Sequence, residues 1–307
     1  MKEEGRRLKI ESKKLKNEII PSTFYLLPSS TSLFVTYKPP FIGSNRFLSQ
    51  IKKKYKIKKA GYSGTLDPFA KGVLIVAFGE YTKLFRFLKK TPKVYEATLW
   101  LGAKSETLDI EDIDDIKNIL PINYKKVKDV VESFKGEIRY TPPKYSAKKV
   151  GGIRSYELAR KEKDVKLPEV TSFVYDIELI NYSHPFITFK AKVSEGTYIR
   201  SLGELIAKKL GTVGTLSSLE RLREGEFVYE NEKALNPVKY LNTKENFTCL
   251  SKDEIKNGKK IFLKDLKIKE EGVFHLVFDN FFTIIEIKDK KVKYLLNHIG
   301  LNIDCGE

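Results

Sequence analysis

Gly61-Tyr62-Ser63-Gly64-Thr65-Leu66-Asp67-Pro68-Phe69-Ala70-Lys71-Gly72 joins a lysine-rich segment to the apolar run Val73-Leu74-Ile75-Val76-Ala77-Phe78. Gly61, Gly64 and Gly72 permit tight backbone paths, and Pro68 fixes its own φ while biasing Asp67 away from the helical region. The stretch therefore reads as a shaped loop that holds one carboxylate beside a buried strand. Asp67 is expected to project into a cleft. In an isolated Leu-Asp-Pro such a carboxylate more often bonds to its own turn.

Working outward, residues 33–37 read as a first short strand stopped by Lys38-Pro39-Pro40, and Ser44 or Asn45 is placed to cap a helix running toward residue 55. Residues 82–88 are expected to be helical, and the alternation over 93–102 predicts another strand. An acidic loop over 109–118 leads to a helix over 124–134. Strands are expected over 170–180 and 186–193, followed by a helix over 202–210 that ends at Gly211. Beyond about residue 240 the short apolar runs 261–263, 274–277 and 283–287 predict a small β-rich module. Residues 1–30 form a basic extension or a short basic helix outside the core.

Composition narrows the class. A chain of 307 residues with 41% hydrophobic residues can bury a substantial core. Its 57 Lys and Arg against 40 Asp and Glu give a formal charge of +17, which favours a polyanionic partner through counterion release. Lys52, Lys53, Lys54, Lys56, Lys58 and Lys59 form the densest basic run, interrupted by Tyr55 and Ile57, which are expected to anchor it to the core. Such lysines meet phosphates without reading bases, or else cover a solvated face. Cys249 and Cys305 are isolated, and His184, His275 and His298 lack zinc spacing, so neither a disulfide nor a metal is expected. No apolar segment reaches the roughly 20 residues of a membrane-spanning helix, and no signal-peptide core follows the charged start. A cytoplasmic protein is the simplest account.

Several separated motifs share one resemblance. Gly61 to Pro68 resembles the GHTGTLDP motif of TruB-type tRNA pseudouridine synthases, with Tyr62 and Ser63 in place of the usual His and Thr. Lys93-Val94-Tyr95-Glu96-Ala97-Thr98-Leu99-Trp100-Leu101-Gly102 is similar to the family's KxYxAxLxLG, and Ser105-Glu106-Thr107-Leu108-Asp109 to its TDTLD. Pro142-Pro143-Lys144-Tyr145-Ser146-Ala147-Lys148 resembles PPxYSAxK, with Tyr140 where Gln is usual. Ser194 to Leu202 resembles SxGTYIRxL, and the likeness runs over roughly residues 33–235. The opening KPxGxTS segment is matched more loosely around Lys38.

The resemblance implies a mixed α/β pseudouridine-synthase fold of the bacterial stand-alone kind. It would have a curved, mainly antiparallel sheet in residues 31–240, a clamp insertion near 134–165 and a small PUA-like module in 241–307. It implies that Asp67 is the catalytic carboxylate, that Arg200 pairs with it, and that Tyr95 stacks on the displaced uracil and assists proton removal. Asp67 could attack sugar C1′, attack base C6 or promote elimination. Tyr62 would act as an aromatic wedge in the RNA. Lys38 would support the catalytic loop or meet phosphate, and Lys52, Lys53, Lys54, Lys58, Lys59, Tyr145 and Lys148 would meet RNA. Gly61, Gly64, Leu66, Pro68 and Leu202 would support the site. The implied activity is conversion of uridine 55 in the TΨC arm of tRNA, with tRNA as partner, no cofactor, no membrane, no obligate protein partner and a monomeric state. Guide-RNA dependence and a catalytically silent RNA chaperone are the alternatives.

Overall fold

The computed structural model describes residues 27–143, 145, 149–150, 153–154 and 167–301. The basic extension, Lys148 and most of the expected clamp lie outside them. In chain order the larger sheet takes β1 (Leu33–Lys38), β2 (Ala60–Ser63), β3 (Lys71–Phe78) and β4 (Lys93–Leu101). A short pair, β5 (Ala103–Lys104) and β6 (Asp115–Ile116), precedes β7 (Gly136–Tyr140), and β8 (Lys149–Val150) pairs with β9 (Ile153–Arg154). The larger sheet resumes with β10 (Val170–Ser183), β11 (Phe186–Val193), β12 (Gly214–Glu224) and β13 (Ala234–Leu235). Its order is β13-β1-β3-β12-β4-β11-β10-β7, with β2 on the side of β3. The β12–β3 pairing is parallel and the others are antiparallel.

β3 explains why its sequence is a continuous apolar run rather than an alternating one. Val73, Ile75 and Ala77 face one cluster with Leu33, Val35, Tyr81 and Phe282. Leu74, Val76 and Phe78 face another with Phe34, Phe47 and Ile51, the last two on α1 (Ser44–Lys54). A strand covered on both faces has no polar side to alternate with. β4 alternates instead: Tyr95, Ala97, Leu99 and Leu101 enter the main core with α2 (Tyr124–Glu132) and α3 (Ile199–Lys209), while their neighbours are half-exposed.

Two expectations for the region of the larger sheet fail in detail. Residues 79–87 form 3₁₀ turns rather than an α-helix over 82–88. Their buried residues are Tyr81, Leu84 and Phe87, and this three-residue spacing matches the 3₁₀ period. The cap of α1 is Gly43, without a side-chain bond. Ser44 instead accepts from the Leu66 amide at 3.0 Å and donates to the Leu66 carbonyl at 2.8 Å, tying the helix to the Asp67 loop.

The smaller sheet is β14 (Lys244–Glu245), β15 (Gly272–Val277), β16 (Phe281–Lys288) and β17 (Lys291–Gly300), accompanied by α4 (Lys252–Lys256). Phe282, Ile284 and Ile299 pack against β1 and β3, so it is seated on the larger sheet. Residues 261–263 are not a strand. Ile261 plugs this module's own core, and a 3₁₀ turn over Leu263–Asp265 follows, with Asp265 accepting from the Phe262 amide at 2.8 Å.

Gly72, at φ +113°, pairs with Arg221 of β12, and a Cβ there would lie 2.3 Å from the Arg221 carbonyl oxygen. Gly72→Ala is therefore expected to destabilise the fold by about 2–4 kcal/mol through backbone strain and the clash. An unchanged urea midpoint would contradict that close approach.

Candidate active site

The Asp67 loop has few bonds of its own, and neighbouring elements hold it. Lys38, at the end of β1, is fully buried and donates to the carbonyls of Pro39 (2.9 Å), Ile42 (2.7 Å) and Pro68 (3.2 Å). Burial lowers its pKa to about 8, against the pull of Asp67 and Glu111. The phosphate-contact reading of Lys38 is thus corrected: its ammonium is spent inside, supporting the catalytic loop. Leu66 and Leu202 lie in the core, Gly61 packs against Phe85, and Pro68 presents the carbonyl that Lys38 binds.

Asp67 aims its carboxylate away from its own turn. Its Oδ2 lies 2.9 Å from Nε of Arg200, and its side chain is 33% exposed while that of Arg200 is 4% exposed. Arg200 sits in the first turn of α3 and engages every nitrogen of its planar fork. Nη1 donates to the Thr107 carbonyl at 2.7 Å and to Asp109 Oδ2 at 3.1 Å, and Nη2 donates to the Tyr145 carbonyl at 2.9 Å. Asp109 is itself fixed by the Thr107 hydroxyl (2.7 Å) and the Glu111 amide (3.1 Å). One guanidinium thus joins the catalytic loop, the segment after β5 and the chain beyond the paired prolines.

A cleft of about 230 Å³ opens on this pair, lined by Asp67, Arg200, Lys93, Tyr95, Leu219 and Arg221 among others. Tyr95 is buried except toward this space. The three catalytic candidates therefore meet at one place. Tyr62 does not line the cleft; half-exposed on β2, it donates to Asn45 at 2.8 Å. Lys53, Lys58 and Lys59 are exposed and Lys52 half-buried, whereas Lys54 is paired with Glu232. Glu232 also accepts from Tyr55 and Thr36, so part of the basic run is neutralised at its base. Tyr145 contributes its backbone carbonyl to the site. Among the described residues, no helix is long and apolar enough to cross a membrane.

Comparison with known proteins identifies the assembly. A family model described as TruB family pseudouridylate synthase (N terminal domain) matches residues 52–199. The tRNA pseudouridine synthase B of a Nitratiruptor species is 60% identical over 267 residues, spanning 87% of this chain and 97% of its own length. The chain belongs to the TruB family. The tRNA pseudouridine synthase B of Campylobacter jejuni (strain RM1221) agrees, at 53% identity over 87% of this chain and 98% of that protein. A solved Cbf5-Nop10-Gar1 complex aligns with TM-score 0.63 and 21% identity, covering 89% of this chain and 85% of that one, and shows the same fold. The protein is accordingly an isomerase of the pseudouridylate synthase type.

Sequence reasoning misses part of this TruB site. Asp109 and Lys93 stand inside the motifs quoted above without a role of their own, and no local pattern singles out Arg221 or Glu224. Tyr140 figures there only as a departure. It donates to or accepts from Ser172 at 3.0 Å and accepts from the Tyr198 amide at 2.9 Å, filling an orphan donor at the start of the helix that carries Arg200. Burial raises its pKa.

Burial also holds the Asp67 carboxyl above its ordinary 3.8; Arg200, Lys38 and Arg221 pull it back down, and Asp109 pushes it up. For a carboxylate that acts in its ionised form, this shift places the acid limb of the rate profile above 3.8. Lys38→Met should move it to higher pH and Asp109→Asn to lower pH; the opposite order in single-turnover profiles would refute the arrangement. A raised folded-state pKa contributes stability below the unfolded value, which is lost as pH rises through the folded one. Asp67→Asn should therefore keep Tm at or above wild type at neutral pH, since Arg200 retains Asp109 and both carbonyls.

Proposed function

We propose that this TruB-family enzyme acts as a cytoplasmic monomer on tRNA, isomerising uridine 55 of the TΨC arm to pseudouridine. The observation that carries this reading is the Arg200-held carboxylate of Asp67 opening on a cleft that Tyr95 also lines. The names of the relatives, tRNA pseudouridine synthase B, support tRNA as the substrate class. Charge supports it too. Lys53, Lys58 and Lys59 are exposed on the segment that leads into the catalytic loop, suited to phosphates.

In the reaction, the uridine leaves its stack and enters the cleft. Asp67 attacks the nucleotide or stabilises the sugar cation, Arg200 holds the carboxylate ionised and aligned, and Tyr95 packs on the base and assists loss of the C5 proton. The N1–C1′ bond breaks, a C5–C1′ bond forms, and the proton lost from C5 is balanced by one gained at N1. No oxidation or hydrolysis accompanies the exchange. Tyr62 serves as an aromatic wedge in the RNA, its hydroxyl bonded to Asn45.

Residues 31–240 are the catalytic domain in this reading, and 241–307 a PUA-like RNA-contacting module. Lys267 lies 5.2 Å from the ring centre of exposed Phe247, and Lys260 5.2 Å from that of exposed Phe262. Paired cations and flat rings of this kind suit an RNA strand.

The test follows tritium release from tRNA carrying [5-³H]uridine, without guide RNA or added protein. Wild type should release tritium only when uridine 55 is present, and Asp67→Asn should lose at least ~10³-fold while retaining tRNA affinity. Normal turnover by D67N, or a requirement for guide RNA, would overturn the assignment.

A further inference from the structure

A second buried charge cluster borders the same cleft as the Asp67–Arg200 pair, which Lys93 and Arg221 also line. Glu224 is fully buried at the end of β12; its Oε1 accepts from Ser63 at 3.2 Å and lies 3.3 Å from the Lys93 ammonium. Its Oε2 lies 3.4 Å from Arg221 Nη2 and has no hydrogen-bond partner. Arg221 donates to the carbonyls of Val73 and Gly64, both at 2.8 Å. Gly64, at φ +65°, fits over the cluster because a Cβ would come within 2.9 Å of Glu224, 3.0 Å of Arg221 and 3.0 Å of Lys93.

Strand geometry puts this cluster beside the base position. Lys93 and Tyr95, two apart on β4, point to the same face about 7 Å apart along the strand. Opposite them, Tyr95 pairs with Arg221 and Lys93 with Glu224, and a register shift separates Arg221 from Arg223. In a regular strand residues three apart face opposite ways. The bulge turns Arg221 and Glu224 toward the same buried site.

Lys93 is the member with capacity to spare. Its side chain is 9% exposed, it lines the cleft, and its three donors face one carboxylate at salt-bridge distance. Lys93 and Arg221 share the single Glu224 carboxylate, so the cluster keeps one net positive charge for an anion. One carboxylate does not balance the two cations of this wall, and Asp67 is already held by Arg200. The reaction itself supplies a transient negative charge. When N1–C1′ breaks, the bonding pair stays on uracil and spreads over N1, O2 and O4; re-attachment through C5 returns it to a bond with C1′. Attack at C6 likewise moves electrons onto the O4 carbonyl.

We infer that Lys93 is a further catalytic residue, donating to a carbonyl oxygen of the uracil as that charge develops, with Glu224 and Arg221 as positioning residues that aim the ammonium. This rests on the reading of the site as a uridine isomerase. A preformed donor at a developing oxyanion is worth about 10²–10³ in rate.

The experiment is single-turnover conversion of two tRNA transcripts, one with uridine and one with 5-fluorouridine at position 55, by wild type, Lys93→Met and Lys93→Arg. Loss of the starting nucleoside is followed by nuclease digestion and mass spectrometry. Fluorine withdraws electrons and stabilises the base anion, so that substrate needs less help. Lys93→Met should lose ~100-fold on uridine but under ~10-fold on 5-fluorouridine, with tRNA affinity within ~3-fold, and Lys93→Arg should recover much of the loss. Equal losses on both transcripts, unchanged rates, or a defect confined to affinity would overturn the inference while wild-type turnover leaves the isomerase reading intact. If Lys93→Met does not fold, Glu224→Gln carries the same comparison. Absence of wild-type turnover would overturn both.

Discussion

The fork of Arg200 is the contact on which the site depends. It reaches Asp67, Asp109 and the carbonyls of Thr107 and Tyr145 within 3.1 Å, so stretches distant in sequence converge on one rigid plane. A buried ion pair is a poor source of stability, because desolvating both partners offsets their attraction. Its value here is geometric. Two carboxylates flank one guanidinium, and Asp109, the more buried, keeps Arg200 in place whatever Asp67 does during turnover.

The same device recurs along the catalytic loop. Its carbonyls are satisfied by buried cations instead of by strand partners: Gly64 by Arg221 and Pro68 by Lys38. Ser44 holds both backbone groups of Leu66. A loop pinned on three sides can carry a partly exposed carboxylate without collapsing onto it. Several of the strongly basic chain's cations therefore work inside the fold, and the outer lysines are left to meet a polyanion.

The readable part of the sequence is the part with regular period or dense motif. β3 announces itself as an apolar run, β4 by alternation, and Asp67, Tyr95 and Arg200 by the motifs around them. What stays hidden depends on departures from period. Arg221 and Glu224 are three apart, which places them on opposite faces of any regular strand, and only the bulge in β12 brings them together. Lys38 reads equally as loop support or as a phosphate contact, because no local pattern reveals that the Pro39, Ile42 and Pro68 carbonyls close around it. The 3₁₀ segment passes for an α-helix because apolar residues three apart fit either period over so short a span.

The opposing influences on Asp67 fit a group that must both bond and leave. A carboxylate held only by cations would be a stable, weak nucleophile; one buried without them would take a proton and cease to react. Burial and Asp109 raise its pKa, while Arg200, Lys38 and Arg221 lower it. The net shift is upward, which makes the carboxylate more basic than a free one. Arg221 takes part in both clusters, since it joins Glu224 and acts on Asp67 through space. The two clusters are therefore electrostatically linked: Arg221 anchors the loop carrying Asp67 and pairs with the carboxylate that Lys93 also meets. A shift of β12 by one residue would disturb both partners at once, which ties the chemistry to the register of a single strand.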